Sequence, residues 1–424
     1  MSAILSDAFR VEASIQMMNS LINTPSYIFI GKDSPWPDLN VPLPSNTITD
    51  QNLAVYDLIM AKKLTSGNMT LALNRVNWES GTIYSRYDVA DASLFSAHKP
   101  FYVLTSDNSV YKCLNNNNGQ PSTIKPTSKS LTPFTLSDDY LWKYMFSIDT
   151  ETADTYMTSQ YIPVKLNPDP AELQFLVQEA AIKGSIESYI VRQGGAGYTS
   201  ATVTITGDGI GAQALPVISG GQISKVLMVN SGSGYTYCNV TVSGNGSGAI
   251  VDGQPSPYEG HGAFAAKELG GHYLIMLSEF GGEDSAQIPK EFSFRKAGLL
   301  MNPEHENGTP YEELLISGTT KAYVNTTTGF VKGELVLYSD NSTAYVVNIG
   351  TDVGGKYFIL SESKRISAGA TIRKKTNTAV SATVSSAVQP SIAKHAGSVC
   401  YIENRNAIFK NETQTELVRI IIEF

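Results

Sequence analysis

The chain has 424 residues, enough for two or three domains that each have a core. Only 17% of the residues are charged, whereas glycine and tyrosine are abundant, and this balance favours a β-rich protein with many turns. The net charge of −8 excludes the basic surface by which proteins bind nucleic acids or anionic membranes, so neither partner is expected.

The cysteine and hydrophobicity patterns favour a protein that folds in a cytoplasm. Cys113, Cys238 and Cys400 form no CxxC pair and cannot all join in disulfides, which indicates a reducing compartment. The first residues lack the basic and apolar segments of a secretion signal. No apolar run approaches the roughly 20 residues that span a bilayer.

The first part of the chain predicts two helices that flank a strand. Asp7 is a candidate cap for the first helix, and the spacing of the apolar residues that follow is helical. These residues are Val11, Ile15, Met18 and Ile22. A strand is expected over 27–30, and the prolines of 34–44 predict a loop. A second helix is predicted from a Thr49 cap to about Leu64.

The middle of the chain alternates short β-like runs with polar loops. In the segment 140–146, every second residue is aromatic, which predicts a strand with one aromatic face. Such a face is typical of sheet packing or of a protein interface, although it can also stack on sugars. Asp169 and Glu172 around Pro170 predict a helix that ends near Ala181.

An internal repeat gives the strongest local signal. Residues 186–212 match 223–249 at a constant offset, and the segment Gly-Ala-Gly-Tyr-Thr at 195–199 becomes Gly-Ser-Gly-Tyr-Thr at 232–236. Two copies are too few for an open solenoid, so we expect them to pack on one another as a small all-β insert over 184–252. A second all-β insert, similar to a small barrel, is predicted over 317–385.

Each motif that could indicate an active site or a ligand site is better explained by a structural role. The glycine-rich segment 207–211 is followed by a strand instead of the helix that a phosphate-binding loop requires. Asp208 is a poor calcium ligand because its repeat equivalent is Asn245. The histidines lack zinc-ligand spacing, and no nucleophile motif is present. The sequence therefore predicts no catalytic residue, no metal site and no cofactor.

The last residues predict a strand that closes the fold. Val418, Ile420, Ile422 and Phe424 alternate at period two, which is the pattern of a half-buried strand. Chain ends usually fray unless packing holds them, so this strand is expected to lie in a sheet.

Several motifs in collinear order resemble one family. They comprise Phe9-Arg10, Phe29-Ile30-Gly31-Lys32 with Pro35-Trp36, Arg75 with Trp78, Tyr84 and Tyr87, the 110–114 and 140–146 segments, Tyr161-Ile162-Pro163-Val164, Met301-Asn302-Pro303, Tyr401-Ile402-Glu403-Asn404-Arg405 and Gln414-Thr415-Glu416. This pattern resembles the gene product 8 family of baseplate wedge subunits in T-even-type contractile-tailed phages. The resemblance covers roughly 5–180, 262–305 and 395–424, and it leaves both inserts without a counterpart.

The resemblance implies a mainly β (α+β) fold built on β-sandwich domains with a few flanking helices. It groups 1–88 with 386–424 in one domain and 89–183 with 253–316 in another. It also implies a homodimer in the baseplate of the virion tail, in contact with other wedge subunits and assembled in the bacterial host. The residues expected at interfaces or as structural braces are Trp36, Trp78, Trp142, Tyr144, Tyr401, Glu403, Asn404 and Arg405.

Two alternatives remain open. A carbohydrate-binding or receptor-binding tail protein would use Tyr198, Tyr235 or Trp36 as stacking platforms. A glycan-cleaving tail enzyme would use acids such as Glu279 and Glu283.

Overall fold

The computed structural model describes residues 4–38, 40–95, 98–281, 291–361, 365–390, 392–394 and 396–424. Strands make up 47% of the protein and helices 13%, which confirms the mainly β fold. The chain divides into two units. Unit one comprises Met1–Ile15, Thr70–Ile275 and Ile422–Phe424, and unit two comprises Gln16–Met69 and Met276–Ile421. The repeat module therefore belongs to unit one and the barrel-like segment to unit two.

The described helices are α1 (Asp7–Asn23), α2 (Ile48–Tyr56), α3 (Thr150–Tyr156), α4 (Leu173–Glu179) and α5 (Ala265–Leu269). The first strands are β1 (Ser26–Gly31), β2 (Leu58–Lys63), β3 (Met69–Asn74), β4 (Tyr102–Leu104), β5 (Ser109–Asn116), β6 (Phe134–Thr135), β7 (Tyr140–Ser147) and β8 (Tyr161–Val164). The repeat forms β9 (Ile186–Ala196), β10 (Ala201–Gly207), β11 (Ile210–Ser219), β12 (Gln222–Ser233), β13 (Cys238–Gly244) and β14 (Ser247–Pro255).

The remaining strands start with β15 (Tyr273–Phe280), β16 (Phe292–Met301) and β17 (Leu315–Ser317). The barrel contains β18 (Thr320–Val324), β19 (Leu335–Leu337), β20 (Thr343–Asp352), β21 (Gly355–Ser361), β22 (Thr371–Lys374) and β23 (Asn377–Val388). The last two are β24 (Ser398–Lys410) and β25 (Glu416–Glu423).

Helix α1 forms where the sequence predicts it, but the last residue of its buried face is not the predicted one. Val11, Ile15 and Met18 are buried as expected, whereas Ile22 is 42% exposed and Leu21 is fully buried. With 3.6 residues per turn, a stripe that includes Met18 continues at a position three or four residues on, and packing selects Leu21.

The prediction that the second helix continues to about Leu64 is wrong, because the helix ends at Tyr56. Helix α2 is capped by Thr47, whose side chain accepts a hydrogen bond from the Asp50 amide, and it ends at Tyr56. Strand β2 then begins at Leu58 and pairs with β1. Residues 58–61 are all buried, and an apolar run of this kind has no periodicity that separates helix from strand. Pairing with a distant strand decides the outcome.

The five-stranded antiparallel sheet of unit two has the order β17-β2-β1-β16-β24. Strand β1 is central and buried along its whole length, and β24 is an edge strand. A further sheet has the order β25-β15-β3-β8, so the predicted terminal strand is confirmed as a sheet member. Val418 and Ile420 are its buried residues, and the Phe424 amide donates to the carbonyl of His272.

The aromatic strand lies in unit one, in a sheet with the order β4-β5-β7-β6. Tyr140, Trp142 and Tyr144 pack in one core cluster as predicted. Phe146 does not share their face, because Tyr111 pairs with Tyr144 while its neighbour Val110 pairs with Phe146. The extra residue in β7 is a bulge, and a bulge reverses the side-chain alternation beyond it.

Helix α4 begins later than predicted. Glu172 is the residue before its first turn, and the helix runs from Leu173 to Glu179. Asp169 instead accepts a hydrogen bond from the Ala171 amide in a preceding turn. Asp and Pro favour turns as strongly as helix starts, so the motif alone does not fix the boundary.

The repeat module has a local two-fold relation between its copies. Strands β10 and β13 are equivalent in the repeat and pair antiparallel, with Thr204 opposite its own equivalent, Thr241. The pairs β9–β14 and β11–β12 are likewise equivalent, and their bulges fall at corresponding positions, as the Val251 pair with Val191 corresponds to the Ala214 pair with Met228. Each copy therefore supplies the pairing partners for the strands of the other copy, so neither copy can form its β-sheets alone.

Tyrosines of the repeat lie in the core of the module, and glycines make room for their rings. Tyr198 and Tyr235 are buried, and the ring of each packs against a glycine from a neighbouring turn of the module. A Cβ atom at Gly246 would lie 2.5 Å from the Tyr198 ring, and one at Gly209 would lie 2.4 Å from the Tyr235 ring. These positions require glycine because a ring occupies the space of a side chain.

In unit two, the predicted barrel-like segment forms a closed six-stranded barrel with the order β18-β21-β20-β19-β22-β23. Its interior is apolar and includes Val346, Phe358 and Ile372, which are all fully buried. Closure leaves no unpaired sheet edge, which is one solution to the exposure of backbone hydrogen-bonding groups.

We predict that Gly246→Ala destabilises the protein by about 1 to 3 kcal/mol, because the new methyl group overpacks the Tyr198 ring. Denaturant unfolding followed by circular dichroism measures the change. Gly67→Ala is the matched control, since its Cβ atom would meet only the Thr65 hydroxyl at 3.9 Å. Equal midpoints for both variants would contradict the packing role of Gly246.

Candidate interface at Trp36 and residues 401 to 405

The candidate interface lies on the edge strand β24 of unit two. Lys296 pairs with Asn404 and Phe294 pairs with Ile408, so residues 405–407 stand opposite Arg295 alone. This bulge interrupts the ladder on a strand that has a partner on one side only. Bulges on edge strands twist the edge and redirect side chains, so this segment is where β24 can present groups to other molecules.

Trp36 binds the bulge from the proline-rich loop after β1. Its indole Nε1 donates a hydrogen bond of 2.9 Å to the carbonyl oxygen of Arg405. The ammonium groups of Lys32 and Lys296 lie 5.4 and 5.9 Å from the ring centroid, within the range of cation–π attraction. The indole is partly exposed, so it braces the loop while part of its surface faces solvent.

The segment 401–405 forms its own polar network. The Arg405 guanidinium binds Glu403 through two bonds, Nε to Oε1 at 2.8 Å and Nη2 to Oε2 at 3.0 Å. The Tyr401 hydroxyl donates a hydrogen bond to the same carboxylate, and the side-chain amide of Asn404 donates one to the carbonyl oxygen of Pro42. The two charged side chains are 42% and 35% exposed. The pair is preorganised and remains accessible.

Gly31 allows the loop to leave β1 close to the neighbouring strand. A Cβ atom there would lie 2.6 Å from the carbonyl oxygen of Asp57. The Asp57 carboxylate in turn pairs with the largely buried ammonium of Lys296 at 2.9 Å. The position of Trp36 therefore depends on residues from β1, from the end of α2 and from β16.

Asp33 carries a perturbed carboxyl group in the same loop. Burial raises its pKa to about 6, against the opposing effects of a hydrogen bond with Ser361 and of the Lys32 charge. The guanidinium of Arg295 donates to the backbone carbonyl of Asp33 and not to its carboxylate. This group therefore titrates close to neutral pH.

The other aromatic candidates lie in unit one and face its interior. Trp142 is fully buried and stacks on Tyr140 at a centroid distance of 5.5 Å. Tyr144 is buried and shares a hydrogen bond with Ser147. Trp78 is half-buried, and its indole donates to the Ser122 hydroxyl at 3.2 Å. The structure thus brings Trp36 together with Tyr401, Glu403, Asn404 and Arg405, and it places the remaining three candidates in a core.

The residues named for the alternative functions are distributed as follows. Tyr198 and Tyr235 are only 3% and 5% exposed, so the proposal that they are stacking platforms is wrong. Glu279 is an exposed residue of β15, and Glu283 lies outside the described residues. Asp208 accepts hydrogen bonds from the Thr236 amide and hydroxyl in the module's turn. Asn245 binds the Thr199 amide in the equivalent turn.

Sequence reasoning missed a fully buried charged cluster in unit one. The Lys112 ammonium lies 3.0 Å from Glu268 Oε2 and 3.0 Å from His261 Nδ1. The other oxygen of Glu268 accepts hydrogen bonds from the amides of Gly262 and Phe264. The sequence feature that could have indicated this cluster is Lys112 itself, which lies in the middle of the apolar segment 110–114. A charged side chain on a buried strand requires a partner of opposite charge.

The pKa directions of this cluster follow from its burial and its charges. Burial acts to raise the pKa of Glu268, but Lys112 and His261 outweigh it, and the pKa falls to about 2. Burial and then the Lys112 charge lower the pKa of His261, so a neutral imidazole faces the ion pair. The cluster is a charge pair held by hydrogen bonds, and it fixes helix α5 to strand β5.

Within the described ranges, no three histidine, cysteine, aspartate or glutamate side chains gather as metal ligands. No described helix combines the length and apolarity needed to cross a bilayer. The chain matches no model of a known protein family, and no curated protein sequence matches it.

We predict that Lys112→Ala lowers the free energy of unfolding by about 3 to 5 kcal/mol, because it leaves the Glu268 charge buried without its partner. Chemical denaturation at neutral pH measures the loss. Lys63→Ala is the control, since Lys63 pairs with a Glu312 side chain that is 68% exposed, and such pairs contribute about 1 kcal/mol or less. A loss for Lys112→Ala no larger than that of the control would disprove the role of the cluster.

We also predict that Asp33→Asn stabilises the protein more at about pH 7.5 than at about pH 4.5. The folded-state pKa of Asp33 is raised, so its favourable contribution is fully present below the unfolded pKa and is lost as the pH rises through about 6. Thermal unfolding at both pH values tests this difference. Asp38→Asn, an exposed position in the same loop, is the control. A pH-independent effect of Asp33→Asn would contradict the prediction.

Proposed function

We propose that the protein is a structural, non-enzymatic subunit of a contractile phage tail baseplate wedge. In this role it forms a homodimer, joins neighbouring wedge proteins and takes part in the rearrangement of the baseplate. The observation that carries the proposal is the partly exposed cluster of Trp36, Glu403 and Arg405 on edge strand β24. These residues belong to the motifs that resemble the wedge-subunit family.

The chemistry of this cluster suits an interface between proteins. Tryptophan, tyrosine and arginine are the residues that most often dominate binding energy at interfaces. The bidentate pair of Arg405 and Glu403 is already ordered, so a partner that covers it loses little conformational entropy there. Phe409, also on β24, is 69% exposed and adds apolar surface to the same strand. An obligate dimer of this kind buries on the order of 2,000 Å² or more.

A carbohydrate-binding or receptor-binding tail protein is the alternative. Trp36 remains as a partly exposed aromatic candidate for stacking on a sugar. A cell-binding assay separates the two proposals, because a receptor-binding tail protein attaches to the host surface and a wedge subunit does not.

We predict that Arg405→Ala reduces dimer formation but lowers the free energy of unfolding by about 1 kcal/mol or less, since half-exposed ion pairs contribute little to stability. Light scattering at micromolar concentration and thermal unfolding measure the two quantities. Arg365→Ala is the matched control, because Arg365 also forms an exposed ion pair in unit two, with Glu306 at 3.1 Å.

Co-expression with adjacent tail genes, followed by pull-down and imaging, tests the wedge itself. The proposal fails if the wild-type chain stays monomeric at micromolar concentration both alone and with these partners. If Arg405→Ala forms dimers to the same extent as the wild type, residues 401–405 are not part of the dimer interface.

A further inference from the structure

A polar cleft of about 650 Å³ lies in unit one. Its walls come from the segment before β4, from the end of β5 with the turn that follows, and from β9. The lining side chains that matter here are Ser85, Arg86, Asp88, Lys99, Asn116 and Arg192. Its volume falls in the range of small-ligand sites, which is roughly 300 to 1,000 Å³.

Among the described residues that line the cleft, Arg86 is the cation that forms no direct ion pair. Arg192 binds Asp88 at 2.8 Å, and Lys99 binds Asp91 at 2.6 Å. Arg86 donates to the neutral side-chain oxygen of Asn116 at 3.1 Å, and no carboxylate in the described part of the chain pairs with it. Burial and then repulsion from Arg192 lower the pKa of Arg86, against an opposing attraction to Asp88. A further negative charge in the cleft would offset the repulsion from Arg192 and stabilise the charged guanidinium.

The position of Arg86 is fixed by its surroundings. Asn116 is 9% exposed, and its amide group donates to the carbonyl of Tyr84 while its oxygen also accepts from the Gly119 amide. The turn that follows places Asn117, Asn118 and Gly119 in succession at positive φ, a conformation that only glycine adopts without cost. The guanidinium is thus held at the wall of the cleft by a rigid neighbour.

We propose that this cleft binds a saccharide that carries one carboxylate, with Arg86 as the group that recognises the carboxylate. A guanidinium matches a carboxylate through two parallel hydrogen bonds. The Ser85 and Asn118 side chains also line the cleft and offer donors and acceptors to hydroxyl groups. Asp88 and Asp91 neutralise Arg192 and Lys99, so Arg86 is left to balance a single negative charge, which favours a singly charged, polyhydroxylated ligand over a phosphate.

The test is ligand-observed nuclear magnetic resonance on the full chain with glucuronate as the probe. Glucose, acetate and inorganic phosphate are the comparison ligands. We expect glucuronate to bind with millimolar affinity and each comparison ligand to bind at least about tenfold more weakly, because each lacks the carboxylate or the hydroxyls or carries more charge. No detectable glucuronate binding at tens of millimolar would overturn the proposal.

The role of Arg86 is tested by Arg86→Gln, which keeps a donor toward Asn116. We expect glucuronate affinity to fall by about tenfold or more, as for the loss of a charge-assisted hydrogen bond. Arg75→Gln is the control, since Arg75 also donates to neutral oxygens, those of Asn77 and Thr158, and lies outside the cleft. A melting temperature equal to that of the wild type establishes that the variant is folded, and Arg86→Lys serves in its place if it is not.

Three further results would overturn the inference. Unchanged glucuronate affinity in the folded Arg86 variant removes Arg86 from the site. Acetate or phosphate binding as tight as glucuronate binding indicates a bare anion site and not a saccharide site. Glucose binding as tight as glucuronate binding shows that the charge is not recognised. None of these results depends on dimer formation, so they are distinct from a failure of the wedge proposal.

Discussion

The structure depends on pairing the backbone of strands that lie far apart along the chain. Strand β1, near residue 30, is hydrogen-bonded on one side to β2 and on the other to β16, near residue 300. Because β1 is buried throughout, water cannot satisfy its amide and carbonyl groups, and a missing neighbour would leave them without partners. This pairing places β24 at the sheet edge, where Trp36 supplies a side-chain donor to the Arg405 carbonyl.

Charged groups occur in two settings that serve different purposes. Lys112 and Glu268 are shielded from water, so each needs the other and the surrounding amides. Arg405 and Glu403 are half-exposed, so their pairing adds little to stability and leaves both able to bind a partner. Burial thus separates the charges that hold unit one together from the charges that stay accessible on unit two.

The repeat module shows how a duplicated sequence can become one body. Each copy contributes strands whose partners lie in the other copy, and the equivalent threonines Thr204 and Thr241 face each other at the centre. Buried tyrosines beside glycines fill the interior, so the Gly-Tyr motif is a packing device. In the same unit, β9 of this module also borders the polar cleft through Val191 and Arg192.

The sequence by itself determined the β-rich class, the first strand, the aromatic strand, the repeat and the terminal strand. These elements have a period of two, a high β propensity or an internal match, which are local properties. It also grouped the residues 401–405, since they are neighbours in the chain. Only the tertiary structure decided that 58–63 is a strand, because an apolar run without periodicity takes the conformation of its partner. Only the tertiary structure joined Trp36 to Arg405 and Lys112 to Glu268, because those contacts arise when distant strands pair and the space between them excludes water.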